Sequence, residues 1–216
     1  MIAPDTSNFP FLIGIAGYSG SGKDTAAVYM ENKLDDCYIE HFADPLKIAC
    51  AEAFGMPIEN FYDPELKEVR NEYWEATPRE IAQFVGTELF RDSIHQLISF
   101  KKSFWVHRMY GKLSGEQRGT SDGDYCASDT VIIPDVRFLD EAAFITGNNG
   151  VLLHLTRPGA SGMIGIPNHA SENSLNFADH PSAICISNSG TYEELYAQLD
   201  EIIKTYCVKT PSISLF

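Results

Sequence analysis

Gly17-Tyr18-Ser19-Gly20-Ser21-Gly22-Lys23-Asp24-Thr25 is a run whose residue types and spacing suit the holding of phosphate. It fits the pattern GxxxxGK. Glycines such as Gly17, Gly20 and Gly22 let backbone N–H groups turn inward and surround phosphate oxygens, with Ser21 carried between them. A helix that begins at Lys23 adds the positive end of its dipole, and Lys23 is spaced to reach the β- and γ-phosphates of a nucleoside triphosphate. A hydroxyl that ligates Mg²⁺ usually follows the lysine. Here Asp24 stands there, with Thr25 one residue later. Either Asp24 binds the metal through water or Thr25 supplies the hydroxyl, and the motif leaves both open. The bland alternative for the whole run is a glycine-rich turn between a strand and a helix.

A second set of residues suits a second anion. Arg79, Gln83, Thr87 and Arg91 recur at i,i+4 after a helix start at Thr77-Pro78-Arg79-Glu80. On a helix they form a stripe about 120° wide, at ~100° per residue. Ile81, Phe84, Val85 and Leu89 fall on the other side and are expected to face a core. Two guanidiniums can clamp a phosphate and an amide can read a base edge. The bland reading is a solvated polar face. Further on, Val131-Ile132-Ile133-Pro134 leads to Asp135, a carboxylate suited to support a metal at a strand end. Arg137 follows two residues later, and Arg157 follows the next apolar run. Both suit the neutralisation of a phosphoryl group in transfer, and a structural ion pair is the alternative for each. His169 and Glu172 close a Gly/Pro/Ser-rich segment. A lone surface histidine and a helix-capping carboxylate are their plainer readings.

These residues need elements to hold them. Phe11 to Ala16 is a short apolar run that reads as a buried strand, followed by a helix over Lys23 to Leu34. Cys37 to Phe42 is a second strand. Asp44 is suited to cap a helix with Pro45 at its first position and Gly55 past its end. Residues 56–76 are mixed, with Phe61, Tyr62, Tyr73 and Trp74; base stacking and core packing are both open for Phe61, Tyr73, Trp74 and Trp105. The helix from Pro78 is expected to run to about Arg91, another covers about Ser93 to Leu113, and 114–130 is a polar loop. Val131 to Pro134, Val151 to Leu155 and Ala183 to Ser187 are strands. A helix over Phe138 to Thr146 stops at Gly147, and the last begins at the capping box Thr191-Tyr192-Glu193-Glu194 and ends near Tyr206. Strands alternate with helices, which favours one α/β domain over 1–216 with a parallel sheet covered on both faces, and an insertion over 45–113.

Bulk properties narrow the partners. The chain of 216 residues carries a formal net charge of −14, which argues against broad nucleic-acid binding but not against a small anion held by local cations. No window approaches the ~20 apolar residues of a membrane span, and no secretory leader is evident at Met1. Cys37, Cys50, Cys126, Cys185 and Cys207 contain no CxxC pair, so mostly buried free thiols of a cytoplasmic protein are expected. If the chain is viral, that is the host's cytoplasm.

Taken in order, the segments Gly-Ser-Gly-Lys-Asp-Thr at 20–25, Phe-Ala-Asp-Pro-Leu-Lys at 42–47, Thr-Pro-Arg-Glu at 77–80 with Gly86-Thr87-Glu88 and Arg91, Asp-Val-Arg-Phe at 135–138 with Glu141, Arg-Pro at 157–158, and His-Ala-Ser-Glu at 169–172 resemble the phage-type deoxynucleoside monophosphate kinases. Ile186 to Thr191 with Leu195 is similar to the last strand and helix start of nucleoside monophosphate kinases more widely. The resemblance spans most of the chain. It implies a three-layer P-loop kinase fold with a five-stranded parallel sheet, 45–113 as the helical monophosphate-binding insertion and 157–171 as a short lid. It implies transfer from ATP, with Mg²⁺, to a deoxynucleoside monophosphate. Lys47, Glu88, His169 and Glu172 then join Arg79, Gln83, Thr87, Arg91 and Arg137 as substrate contacts. A homodimer is compatible with the sequence. A kinase of another small phosphorylated metabolite, of the phosphomevalonate or dephospho-coenzyme A type, is one alternative. A non-kinase nucleotide-binding ATPase is the other.

Overall fold

In the computed structural model the described residues are 9–96, 98, 103–115, 129–160 and 181–207. Five strands, β1 (Phe11–Ala16), β2 (Cys37–Ile39), β3 (Thr130–Val136), β4 (Val151–Thr156) and β5 (Ala183–Ser187), form one sheet in the order β2-β3-β1-β4-β5. Every pairing is parallel, with Ile13 opposite both Ile132 and Val151, Tyr38 opposite Val131, and His154 opposite Cys185.

Alternation along the strands sends neighbouring side chains to opposite faces. Leu12, Val131, Ile133 and Leu152 pack on one face, with α2 (Asp44–Phe54), α5 (Phe104–Leu113) and α6 (Leu139–Gly147). Ile13, Ile15, Ile132, Leu153 and Leu155 pack on the other, with α1 (Lys23–Glu31) and α7 (Tyr192–Ile202). The result is a three-layer α/β fold with helices on both faces of a parallel sheet.

All strands end on one edge, where ligands of open parallel sheets bind. The turn after β1 lies between the ends of its two neighbours, β3 and β4, so Gly17–Gly22 sits at the point where chain direction across the sheet divides.

Several boundaries differ from expectation. α1 stops at Glu31 rather than Leu34, and Asn32, Lys33 and Leu34 close it with turn hydrogen bonds. β2 is cut to Cys37–Ile39 because Phe42 and Ala43 give their amides to Asp135 instead of a ladder. β3 runs on to Val136, past the expected end at Pro134, with an irregularity opposite Gly14 and Ala16. The segment 45–113 holds α2, α3 (Glu59–Tyr62), a 3₁₀ turn at Leu66–Glu68, α4 (Pro78–Phe84), a π-helix (Val85–Ser93), a 3₁₀ turn at Ile94–Gln96 and α5. The long helix expected over Ser93 to Leu113 is thus two separate pieces. The last helix turns π-helical over Ile203–Cys207.

Cys50 is buried, but Cys37 and Cys207 are half-buried and Cys185 is exposed, so the expectation of mostly buried thiols does not hold for the described cysteines. No helix of the described residues is long and apolar enough to cross a membrane.

Candidate functional site

The loop after β1 keeps its shape through backbone that only glycine adopts freely. Gly17, Gly20 and Gly22 have φ of 146°, 77° and 98°. At Gly22, the N-cap of α1, a Cβ would lie 2.4 Å from Asn188 Nδ2; at Gly17 it would lie 2.4 Å from the Leu155 carbonyl oxygen. Asn188, just past β5, fills that space and donates through Nδ2 to the Ser21 carbonyl at 2.8 Å. Its own amide donates to Thr156 O at 2.8 Å, so the ends of β4 and β5 hold the loop from behind. Ser21 is buried beneath the loop. Lys23 Nζ donates to the carbonyls of Gly17 (2.7 Å) and Tyr18 (2.9 Å), which lays the ammonium across the loop.

Asp135 organises the opposite wall. Its oxygens accept the amides of Phe42 (3.0 Å) and Ala43 (2.9 Å), which directs the chain from β2 into α2. Asp44 was expected to cap α2; instead Ala43 is the N-cap residue and makes no side-chain cap bond. The Asp44 carboxylate pairs with His41 Nδ1 at 3.2 Å and Lys47 Nζ at 3.3 Å, and accepts from Tyr62 Oη at 2.9 Å. Burial alone would lift the Asp44 carboxyl, but His41 and Lys47 outweigh it and hold the group well below the usual carboxylate range. Burial would lower His41, and its bond to Asp44 reverses that and raises it. Burial, then Asp44, pushes the Tyr62 phenol up.

α4 starts on the expected capping box. Thr77 Oγ1 accepts the Glu80 amide at 3.1 Å and Glu80 Oε2 accepts the Thr77 amide at 2.8 Å. At Val85 the helix widens into a π-helix, whose i→i+5 bonds bring residues four apart closer to one line. The widening keeps Gln83, Thr87 and Arg91 in register with Arg79 along one wall. Phe84, the last residue of α4, and Leu89, within the π-helix, are 57% and 48% exposed, against the expectation that they face a core. Ile81 is buried as expected.

Arg91 is not open to a ligand in the way its spacing suggests. Nη1 donates to both Asp140 oxygens (2.8 and 2.7 Å), Nη2 pairs with Glu141 Oε1, and the guanidinium lies 3.6 Å from the Phe138 ring centroid. Glu141 in turn accepts the amides of Arg137 (2.8 Å) and Phe138 (3.1 Å) through Oε2. Burial pushes the Glu141 carboxyl up from 4.5 to about 7, against the pull of Arg91. A carboxyl raised on folding contributes stability that is full below its unfolded value and is lost as pH rises through the folded value. The melting temperature should therefore fall between pH 4.5 and about 7 in part through Glu141, and that component should vanish in Glu141→Gln. Thermal melts of both proteins across this window check it.

Loop, wall and helix face one cleft of about 510 Å³, within the range of small-molecule sites. Of the residues named from sequence, Gly20, Lys23, Asp24, Lys47, Arg79, Gln83, Thr87, Arg91, Asp135 and Arg137 line it. Gly17, Ser21 and Gly22 shape the loop behind it. Thr25 instead lines a shallow groove with Tyr29 and Tyr196 on the outer side of α1. Glu88 and Arg157 are not among the residues that line it: Glu88 lies one position off the wall-facing row, and Arg157 is exposed past the end of β4. His169, Glu172 and most of the expected lid lie outside the described residues.

Phe61 and Trp105 border the cleft. Tyr73 and Trp74 are exposed, with Trp74 packed edge-on against Phe54. Sequence reasoning missed His41 and Lys67, which also line it. The cleft gathers Lys23, Lys47, Lys67, Arg79, Arg91 and Arg137, beside the carboxylates Asp24, Asp135 and Glu141, in a chain whose net charge is −14. Among the described residues no cluster of three or more His, Cys, Asp or Glu could hold a metal unaided.

A parallel sheet with a glycine loop at its dividing point and a cleft lined by cations beside it defines a nucleotide-binding α/β protein. No family model matches the chain. It is 36% identical over 192 residues, 87% of its length and 93% of the other's, to a protein of Acanthamoeba polyphaga mimivirus named "Putative deoxynucleotide monophosphate kinase". The chain belongs to the nucleotide kinase family of that viral protein. Among solved structures it is similar to TT1252 from Thermus thermophilus, at 16% identity and a TM-score of 0.45 over 91% of this chain and 97% of that one.

Proposed function

We propose that the protein phosphorylates deoxynucleoside monophosphates to diphosphates with ATP, by direct in-line transfer and without a covalent enzyme intermediate. The observation that carries this reading is the meeting of two cationic walls in one cleft: Lys23 on the glycine loop, and Lys47, Arg79 and Arg137 across from it. One anion needs one wall; two polyanions that must be brought into contact need both. The printed name of the mimivirus relative agrees with a monophosphate acceptor.

Catalysis here is mostly positioning and charge neutralisation. The loop amides and Lys23 hold the donor phosphates. The two carbonyls that Lys23 now contacts are neutral acceptors, which a phosphate oxygen outcompetes as a charge-assisted partner. Arg79 and Lys47 orient the acceptor phosphate, and Gln83 and Thr87 offer polar contacts beside it. Arg137, whose amide is tied to Glu141, offsets charge at the transferring group. Arg157 stands at the β4 end of the same sheet edge, with a role once both substrates are bound.

The cleft carboxylates fit Mg²⁺, which binds through one or two carboxylates together with substrate phosphates. Asp24 faces the cleft from the first turn of α1, and Asp135 keeps lone pairs beyond its two amide bonds. When bound, the metal would neutralise phosphate charge. Thr25, turned to the outer groove, is the weaker candidate of the pair left open by the motif.

The test is a panel of deoxy- and ribonucleoside monophosphates, each with ATP and Mg²⁺, in a coupled assay of ADP formation. At least one deoxynucleoside monophosphate should stimulate ADP release strongly. ADP release indifferent to every acceptor would overturn the reading.

A further inference from the structure

We propose that Lys67 is a substrate-binding residue: with Lys47, Arg79 and Arg137 it forms a four-cation cradle that receives the phosphate dianion of the acceptor. The identity of that anion rests on the kinase reading above; the existence of the site does not.

Lys67 lies in the short turn Leu66–Glu68, which is clamped at both ends. Before it, Asp63 Oδ1 accepts the amides of Glu65 (2.8 Å) and Leu66 (2.9 Å). After it, Glu68 Oε1 accepts from Arg79 Nε at 2.6 Å. The turn is therefore docked onto α4 by an arginine that itself lines the cleft, and the side chain between the two clamps lines the cleft as well. A turn held this way presents its lysine at little further ordering cost on binding.

The surroundings of the ammonium supply the second argument. Lys47 has Asp44 and Arg79 has Glu68, whereas Lys67 has no carboxylate within ion-pair distance among the described residues. Burial lowers its pKa, and Arg79, Arg137 and Lys47 push the same way, with Glu68 opposing. The groups around it are thus Lys47 on α2, Tyr62 on α3, the Asp63 carboxylate just before its turn, Glu68 on the turn, Arg79 on α4 and Arg137 after β3, with His41 further along the cleft. Like charges gathered in a half-buried place destabilise one another until an anion joins them. A doubly charged phosphate relieves the repulsion of several cations at once, which a neutral or singly charged group does less well. The cradle thus selects a terminal phosphomonoester.

Lys67→Met and Lys67→Arg test this. In Lys67→Met the KM for the accepted monophosphate should rise roughly 10- to 100-fold, the effect of losing one charged hydrogen bond to a bound anion. The KM for ATP should stay within about twofold, a narrow margin set against that rise. The melting temperature should be unchanged or higher, since an uncompensated charge is removed. Lys67→Arg should retain most acceptor affinity. It should also hold that affinity to higher pH than the wild type, because arginine keeps its proton where a lysine of lowered pKa gives it up. Wild-type acceptor KM in Lys67→Met overturns the proposal. If the wild type phosphorylates no monophosphate, the kinase reading fails, and the site is then judged by calorimetry with deoxynucleoside monophosphates and inorganic phosphate. Binding lost in Lys67→Met supports the cradle; equal binding in both proteins, or none in the wild type, overturns it.

Discussion

Lys23→Ala should lower kcat for acceptor phosphorylation by about 10²–10³-fold, the usual cost of removing one preorganised charge from a transition state. Lys23 is the cation fixed on the loop itself. Its Nζ donates to the carbonyls of Gly17 and Tyr18, which ties it to the loop's own backbone. Among the described residues the other cations of the cleft, such as Arg79, Lys47 and Arg137, project from other elements. The fold should survive the change. The loop's shape comes from its glycines and from Asn188, and the bonds from Lys23 to Gly17 and Tyr18 run to neutral carbonyls at a partly exposed place. Steady-state kinetics with both substrates varied, beside a thermal melt, make the measurement. Turnover equal to wild type with an intact melt would sink the donor assignment.

The parts legible from sequence were those governed by local chemistry. The glycine loop, the Thr77 and Thr191 capping boxes, the Gly55 terminus and the existence of the five strands depend on residue type and near neighbours, and each is present at the segment the pattern indicates. The parts misread depend on partners far along the chain. β2 ends early because Asp135, more than 90 residues away, takes the amides of Phe42 and Ala43. Periodicity of 3.6 predicts that Leu89 faces inward, but the π-helix from Val85 changes the period in mid-element, and nothing in the local pattern announces it. Lys67 was invisible for the same reason. Its segment reads as mixed and polar, and only the folding of Glu68 onto Arg79 turns it into the cleft. The stripe of Arg79, Gln83, Thr87 and Arg91 does line one cleft, but its two arginines have different partners, which spacing alone does not show. Arg79 pairs with Glu68 on the neighbouring turn, while Arg91 belongs to an ion network with α6.

That difference gives Arg91→Ala a distinct expected result: loss of about 3–5 kcal/mol of stability, as when a buried ion pair loses one member. The Arg91 side chain is 11% exposed and its partner Glu141 only 4%. Removing the guanidinium strands Glu141 and leaves Asp140 without its forked partner. Glu141, already pushed up to about 7, can take a proton and so limit the damage, which puts the loss near the lower end at neutral pH and makes it larger in alkali. For a domain of this size the melting temperature should drop by roughly 6–20 °C. Arg91→Lys should recover only part of this, because a point charge cannot engage both carboxylates as a planar fork does. Chemical denaturation and thermal melts at two pH values measure the effect. If Arg91 acted chiefly as a phosphate ligand, as its spacing alone suggests, Arg91→Ala would keep its melting temperature and raise only the acceptor KM. The bonds to Asp140 and Glu141 require the reverse order. Stability fails first, and acceptor binding follows because α6 and the Arg137 backbone lose the support that Glu141 gives them.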